Sequence, residues 1–187
     1  MQHRTVLRRN PRPKVVDVDQ ALSAVSTEVR LALLTAHKVL NELGVAHVLV
    51  GGLAVGAHGY PYATQDVDFL VGDEAFHFGR GGLVSFAPGV PIQIGGVAVD
   101  YLSPIKEAGQ DRIIEDARGK TDLQVIVIEQ LVYMKLAVGR QKDQSAIVGL
   151  LQRGADVDLI RAFLTSVAPD LIPRFDRLLE RAKSEEQ

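Results

Sequence analysis

A short apolar run that carries two aspartates one residue apart is the feature that most constrains this chain. Residues 66–71 read DVDFLV. Because side chains alternate between the two faces of a strand, a strand here places Asp66 and Asp68 on one face and the apolar residues on the other. Carboxylates held so close repel each other, so the pair needs a metal ion, another cation or a shared proton. Oxygen ligands favour a hard ion such as Mg²⁺ or Mn²⁺.

The neighbours of the two aspartates bear on whether the pair is functional. On a surface strand an Asp-x-Asp pair is usually an ordinary solvated face, and this alternative stays open. Here the pair is flanked by Val67 and by the apolar residues 69–71, which favours a mostly buried strand. Charges on such a strand are costly unless they are paired or used.

A glycine pair precedes the aspartates. The apolar residues 45–50 predict a short buried strand that enters Gly51-Gly52, and a short helix is expected over 53–57. Glycines let the backbone approach a phosphate closely, with the amides of a helix start facing it. A tight strand-to-helix turn without a ligand accounts for the pair equally well, and both interpretations can hold together.

A third carboxylate lies on a second predicted strand. Residues 92–99 show two alternating apolar runs around Gly95-Gly96, which is typical of a β-hairpin. The alternation places Val97, Val99 and Tyr101 on one face. Asp100 then lies on the opposite face, as a ligand in a cleft would.

The remaining pattern predicts a mixed α/β (α+β) chain. A helix is expected over 19–43, broken near Ser26-Thr27 and ended by Gly44, because apolar residues recur every three to four positions. Another helix is predicted from Ser103 to Arg118. The other expectations are a loop over 72–89, a strand over 125–128 and helices from 129 onward. We therefore predict a flexible basic tail (1–16), a core (17–125) with a short mixed sheet flanked by helices, and a C-terminal helical region packed on the core (126–187).

Net charge, cysteine content and the length of apolar runs limit the classes of function that the chain can have. A net charge of −2 gives no global basic footprint, so binding to nucleic acid is not indicated by charge, although a local basic patch stays open. The absence of cysteine excludes a thiol nucleophile and Cys-ligated metals. No apolar run approaches the ~20 residues of a membrane helix, and no secretory signal is evident. A cytoplasmic protein without membrane contact is expected.

The glycine pair, the Asp-x-Asp pair and Asp100 together resemble the nucleotidyltransferase superfamily, which has the fold of DNA polymerase beta. The resemblance spans residues 30–155 and is most specific over 47–71. The toxin–antitoxin and abortive-infection type of minimal nucleotidyltransferase often reads Gly-x-x-Arg-x-Thr-x-Asp-hydrophobic-Asp. Residues 59–68 keep every element except the arginine, which is Tyr62. Many relatives also have a serine after the glycine turn, where this chain has Leu53.

The resemblance implies a transferase that moves a nucleoside monophosphate from a nucleoside triphosphate, such as ATP, to a hydroxyl on protein, RNA or a small molecule. It implies Mg²⁺ or Mn²⁺ at Asp66, Asp68 and Asp100, with Asp100 also a candidate general base. A protein partner within a toxin–antitoxin pair is a further implication. The alternative is a catalytically inactive member that binds nucleotide or a protein partner.

Two more residues are candidates for nucleotide binding beside the glycine pair. Thr64 supplies a hydroxyl near the aspartates, and it can instead cap the loop. Lys135 lies among apolar residues on a predicted helix, in a Lys-…-Arg-x-Lys-Asp segment that resembles one of the same subfamily, and can reach phosphate as a point charge. A lysine that extends its head to solvent is the alternative. His47, His58 and His77 lack metal-ligand spacing, and Tyr60 and Tyr62 can stack on a base or cover the loop.

Overall fold

Four strands form one mixed sheet in the computed structural model, which describes residues 16–76 and 90–185. The strands lie in the order β1-β2-β4-β3. Strand β2 is antiparallel to β1 and parallel to β4, and β3 is antiparallel to β4. The bounds are β1 (His47–Leu49), β2 (Asp66–Val71), β3 (Ile92–Ile94) and β4 (Val97–Leu102). The predicted mixed sheet, the strand over 66–71 and the hairpin are confirmed.

Helices cover both faces of this sheet. On the N-terminal side Ser26 separates two helices, because its hydroxyl accepts a hydrogen bond from the Val29 amide and caps the second one. Gly44 follows with φ of +68°, as predicted for the end of that helix. The bounds are α1 (Val18–Ser23), α2 (Thr27–Glu42), α3 (Gly51–Ala57), α4 (Gln110–Ala117), α5 (Ile128–Val138), α6 (Gln141–Gln152), α7 (Val157–Val167) and α8 (Ile172–Glu185).

The alternation along β2 assigns its two faces to different layers. Val67 and Phe69 are fully buried in an apolar cluster with Leu33 and Leu40 of α2. Leu70 belongs to the other cluster, which the C-terminal helices dominate. Since Asp66 and Asp68 alternate with Val67 and Phe69, they face the C-terminal helices. The sheet therefore presents its carboxylates to α5 and α6.

The four C-terminal helices pack into the same cluster as the first strand. Leu136, Ile147 and Phe175 are buried there together with Val48 of β1. The predicted C-terminal helical region is confirmed as a set of helices, while the domain boundaries at 16/17 and 125/126 stay predictions. Most of the tail, residues 1–15, lies outside the described residues. No helix among the described residues is long and apolar enough to cross a membrane.

Two local predictions are wrong, and a third is tested over only a few residues. The helix predicted from Ser103 begins at Gln110, because a 3₁₀ turn (Lys106–Ala108) and Gly109 at φ +69° come first. Residues 125–128 form an isolated parallel bridge between Leu49 and Val125, not a strand, and Ile128 already begins α5. In the predicted loop 72–89, a 3₁₀ turn spans Asp73–Phe76, and 77–89 lie outside the described residues.

A pair of histidines, His47 buried and His37 half-buried, joins α2 to β1. His47 donates from Nδ1 to the Val45 carbonyl (2.8 Å), so its Nε2 accepts from His37 Nδ1 at 2.7 Å. Asn41 in turn contacts His37 Nε2 at 3.3 Å. Burial lowers the pKa of both histidines, because the neutral ring is favoured away from water. A proton on His47 Nε2 would remove the bond to His37.

We expect the histidine pair to make stability depend on pH. Because the folded-state pKa values lie below the unfolded value, the pair contributes stability above about pH 6.5 and loses it as pH falls through the folded values. Thermal melts at about pH 7.5 and about pH 5.5 should therefore show a larger loss of Tm for wild type than for His47→Gln. An equal loss in both proteins would contradict this role.

Candidate functional site

One cleft of about 130 Å³ collects all seven residues that the sequence singled out for catalysis, metal or nucleotide binding. Strand β2, its parallel neighbour β4 and the glycine turn form one side. The C-terminal half of α5 and the start of α6 form the other. The lining residues are Gly51, Gly52, Tyr62, Thr64, Asp66, Asp68, Asp100, Lys135, Arg140, Lys142 and Asp143.

Strand register brings the three carboxylates to one wall. In the parallel pairing of β2 with β4, Asp68 lies opposite Asp100 and Asp66 lies opposite Ala98. All three aspartates are half-buried, whereas their neighbours Val67 and Val99 are fully buried on the other face. The predicted strand pattern thus produces an acidic wall at the edge of an apolar core.

Burial and mutual repulsion perturb this wall electrostatically. Burial raises the pKa of Asp68 to about 6, and the charges of Asp66 and Asp100 add to the effect. Lys135 and a hydrogen bond from the Gly52 amide lower that pKa in part. Burial, with the charge of Asp66, also raises the pKa of Asp100. Near neutral pH the negative charge of the acidic wall is therefore only partly offset by nearby positive groups.

The glycine turn packs directly against these side chains. Gly51 has φ of +66°, and a Cβ added there would overlap the carboxyl group of Asp68. A Cβ on Gly52 would come within 2.7 Å of the Thr64 side chain. Glycine at both positions is therefore explained by close packing inside the cleft. Helix α3 begins at Gly51, two residues before the predicted 53–57 segment.

Thr64 and Tyr62 complete the loop side of the cleft. The Thr64 hydroxyl donates a short hydrogen bond to the Asp66 carboxylate, so it positions this aspartate. Tyr62 lies under the Lys135 ammonium, 5.4 Å from the ring centroid. A cation over a tyrosine face is attracted by the ring quadrupole. At the position where the resembled motif has arginine, this chain thus uses an aromatic ring to hold a lysine.

A cationic wall faces the carboxylates. Lys135 is 7% exposed, which rules out a lysine head extended into solvent. Its Nζ lies 3.1 Å from Asp143 Oδ1, and Arg140 Nε lies 2.9 Å from Asp143 Oδ2. Lys142 also lines the cleft. One buried aspartate therefore holds a lysine from α5 and an arginine from the start of α6 side by side.

Sequence reasoning left four lining residues out of the predicted site. The sequence predicts that Tyr62 stacks on a base or covers the loop. Arg140, Lys142 and Asp143 belong to the segment that follows Lys135, for which the sequence predicts no role beyond the resemblance. The missing information is the turn at Gly139 (φ +72°), which folds α6 back so that Asp143 meets Lys135. A lysine in an apolar helix, followed by an aspartate just past a glycine, is the signal that could have found this pair.

The histidines of the described ranges 16–76 and 90–185 do not line the cleft. His58 contacts the Ile126 carbonyl at 2.7 Å through Nε2, and burial lowers its pKa. His47 belongs to the pair between α2 and β1, and His77 lies outside the described residues. The interpretation of His58 as a structural hydrogen-bonding residue is confirmed.

The donor chemistry of the acidic wall suits a hard divalent cation. Its candidate ligands are all carboxylate oxygens, and burial together with the charges of Asp66 and Asp100 raises the pKa of Asp68. Within residues 16–76 and 90–185, however, no three His, Cys, Asp or Glu side chains are arranged to hold a metal ion. Two of the aspartates have hydrogen-bond partners instead, since Asp66 accepts from Thr64 and Asp68 accepts from the Gly52 amide.

An apolar cavity of about 110 Å³ adjoins the cleft behind Asp68. Leu102, Leu131, Met134 and Val138 supply its apolar lining. It shares Gly51, Asp68, Lys135, Arg140 and Asp143 with the cleft. A bound molecule can therefore place charged groups between the two walls and an uncharged part in this cavity.

Comparisons with known proteins give a structural similarity only. No protein-family model and no curated protein sequence matches the chain. The solved structure of an antigenic nucleotidyltransferase-like protein from Paracoccidioides brasiliensis is similar, with 13% identity, a TM-score of 0.44, and coverage of 81% of this chain and 93% of that one. So low a similarity carries no argument about activity, which has to come from the cleft.

We expect Asp68→Asn to stabilise the protein in the absence of ligands. The folded-state pKa near 6 lies above the unfolded value, so the charged carboxyl opposes folding above about pH 6, by roughly 1–3 kcal/mol, and the cost vanishes as pH falls towards about 4. The side-chain oxygen of asparagine can still accept the hydrogen bond from the Gly52 amide. Urea melts at about pH 7.5 and about pH 4.5 measure the difference, with exposed Asp116→Asn as the control. A less stable Asp68→Asn protein at the higher pH would contradict the predicted cost of burying the Asp68 charge.

We expect Gly51→Ala to cost more stability than left-handed backbone strain alone. Gly44 has a similar φ of +68° but open space around it, so Gly44→Ala is a matched control that should lose about 1–2 kcal/mol. Gly51→Ala should lose more, because its methyl group must also displace the Asp68 carboxyl group. Equal free energies of unfolding for the two variants would show that Asp68 does not pack against the turn.

Proposed function

We propose that this protein is a metal-dependent nucleotidyltransferase that moves a nucleoside monophosphate from a nucleoside triphosphate to a hydroxyl acceptor. The observation that carries the proposal is the division of one cleft into two charged walls. The acidic wall consists of Asp66, Asp68 and Asp100. The cationic wall consists mainly of Lys135 and Arg140. Such a division suits a substrate made of a divalent cation and a polyphosphate.

In this proposal the three aspartates hold Mg²⁺ or Mn²⁺. The bound ion would stabilise charge on the phosphate oxygens and lower the pKa of the attacking hydroxyl. To serve as ligands, Asp66 and Asp68 must turn away from Thr64 and from the Gly52 amide. Strand register supports this step, because it already places Asp68 opposite Asp100.

The Gly52 amide couples the two halves of the site. It bonds the Asp68 carboxyl group in the present arrangement. When Asp68 turns towards a cation, this amide becomes free to donate to a phosphate oxygen. Gly51 and Gly52 then contribute to nucleotide binding through their lack of side chains, which lets the phosphate approach the backbone.

The cationic wall binds the triphosphate in this proposal. Lys135 and Arg140 are held by Asp143, so little side-chain entropy is lost when they meet phosphate. Lys142, whose side chain is exposed at the rim, adds a third positive charge. Their charges offset the negative charge that builds up on the leaving pyrophosphate.

Asp100 is the proposed general base. Its raised pKa makes it a better proton acceptor than an ordinary aspartate. In the transfer step the acceptor oxygen forms a bond to the α-phosphorus, the bond to the pyrophosphate oxygen breaks, and the hydroxyl proton passes to Asp100. A toxin–antitoxin setting for this reaction rests on the sequence resemblance of residues 59–68.

An inactive nucleotide-binding protein is the second candidate. It is favoured by the carboxylates' present hydrogen bonds, and by Tyr62 and Leu53 at positions where the resembled motif has arginine and serine. Such a protein would bind nucleotide on the cationic wall without turning its aspartates towards a metal. The two candidates therefore differ in whether nucleotide binding depends on magnesium and leads to turnover.

Magnesium-dependent nucleotide binding tests the proposal. Calorimetric titrations with ATP, GTP, CTP and UTP should show binding that requires Mg²⁺ or Mn²⁺ and is lost in Asp66→Asn and Asp68→Asn, because each variant removes a ligand charge. Asp116→Asn, an exposed aspartate on α4, should bind like wild type. Release of pyrophosphate from the bound nucleotide should follow the same pattern.

The alternative outcomes are distinct. Binding that needs no metal and gives no pyrophosphate would favour the inactive nucleotide-binding protein. Absence of binding by wild type to all four nucleotides would overturn both candidates.

A further inference from the structure

A groove lined by three arginines lies between α6 and α8. We call it the arginine groove: Arg174, Arg177 and Arg181 on α8, Gln144 on α6, and Leu178. Its volume is about 500 Å³, and none of these lining residues is acidic. The protein as a whole carries a net charge of −2, so this is a local concentration of positive charge.

The arginine groove lies against the turn between α5 and α6, and the residue that follows this turn lines the cleft. The Arg174 guanidinium donates to the carbonyls of Leu136 (2.9 Å) and Gly139 (2.6 Å). The Gln144 amide also donates to the Gly139 carbonyl, at 3.1 Å. The next residue, Arg140, lines the cleft. A chain-like ligand that follows the groove past this turn would therefore arrive at the cleft.

Two of the three guanidinium groups are available to a ligand. Arg177 is exposed and has no ion-pair partner among the described residues. Arg181 pairs with Glu185, but both side chains are nearly half exposed (46% and 45%), and such surface pairs are weak. Arg174 instead donates hydrogen bonds to carbonyls at the end of α5 and so holds α8 in place beside it. The groove thus combines one structural arginine with two that can exchange partners.

The spacing of the arginines suits a regular polyanion. The two arginines that can exchange partners, Arg177 and Arg181, lie four residues apart on one face of α8, which spans roughly 6 Å along the helix. A stacked nucleic-acid strand rises about 3.4 Å per nucleotide, so this length corresponds to about two phosphates. Guanidinium groups match phosphate oxygens in geometry and charge.

We propose that the arginine groove binds the phosphodiester backbone of a single-stranded nucleic acid and directs its terminal hydroxyl to the cleft. Binding of the strand in the groove, the binding part of this proposal, is argued from the groove alone. Delivery of the terminal hydroxyl to the cleft, the acceptor part, rests on the proposed function. A nucleic-acid strand carries both properties that the site calls for, since its phosphates fit the groove and its end supplies a hydroxyl. An acidic peptide offers carboxylates without this regular spacing.

Binding of labelled oligonucleotides tests the inference without nucleotide or metal. Fluorescence anisotropy of RNA and DNA strands of about 12 nucleotides would be measured with the full chain at several salt concentrations. The groove variant is Arg177→Gln with Arg181→Gln. Its matched control is Arg112→Gln with Arg153→Gln, which removes the same charge from exposed arginines elsewhere. Circular dichroism checks folding, and Arg177→Gln alone serves if the double variant unfolds.

The groove variant should bind roughly tenfold or more weakly, and its salt slope should fall by about 1.4, because two phosphate contacts are lost. The control should bind like wild type, and the ratio of RNA to DNA affinity identifies which strand the groove prefers. Equal losses in both variants, no binding by wild type, or equally tight binding of a polyglutamate peptide would each overturn the inference. Failure of nucleotide binding alone would overturn the proposed function and leave the groove's binding part standing.

Discussion

Mutual repulsion of carboxylates on two adjacent parallel strands is the constraint on which the site depends. The register of β2 with β4 sets Asp68 opposite Asp100, and alternation adds Asp66 to the same face. The apolar residues on the other face bury the strands, so this charge is partly removed from water as well. Such an arrangement opposes folding and is retained at functional sites, where a ligand can offset its cost.

The surrounding structure relieves this repulsion only in part. Lys135 approaches from α5 and lowers the pKa of Asp68, but Asp143 shares the charge of that lysine. Breaking a buried pair of this kind by removing one partner is expensive, because the other charge stays buried without compensation. The lysine is therefore fixed in the cleft, and the acidic wall stays short of positive charge. This imbalance makes a cation with a polyphosphate a physically reasonable ligand.

Predictions from the sequence succeeded where one local pattern was enough. The strand over 66–71, the hairpin at Gly95-Gly96 and the helix break at Ser26 depend on alternation, turn residues and a cap, and each is confirmed. Predictions failed where non-local packing decides the conformation. Residues 125–128 have the composition of a strand, but in the structure only one residue pair bridges to β1 before α5 begins.

The sequence by itself determined which residue types face the cleft, because period-two alternation places the aspartates opposite a buried apolar face whatever the rest of the fold does. It also determined the glycine turn, since a backbone with positive φ at Gly51 excludes nearly every other residue. Only the tertiary structure decided what opposes the carboxylates. Asp143 meets Lys135 because the turn at Gly139 reverses the chain. Contacts between side chains on different helices depend on packing angles, which no local pattern encodes.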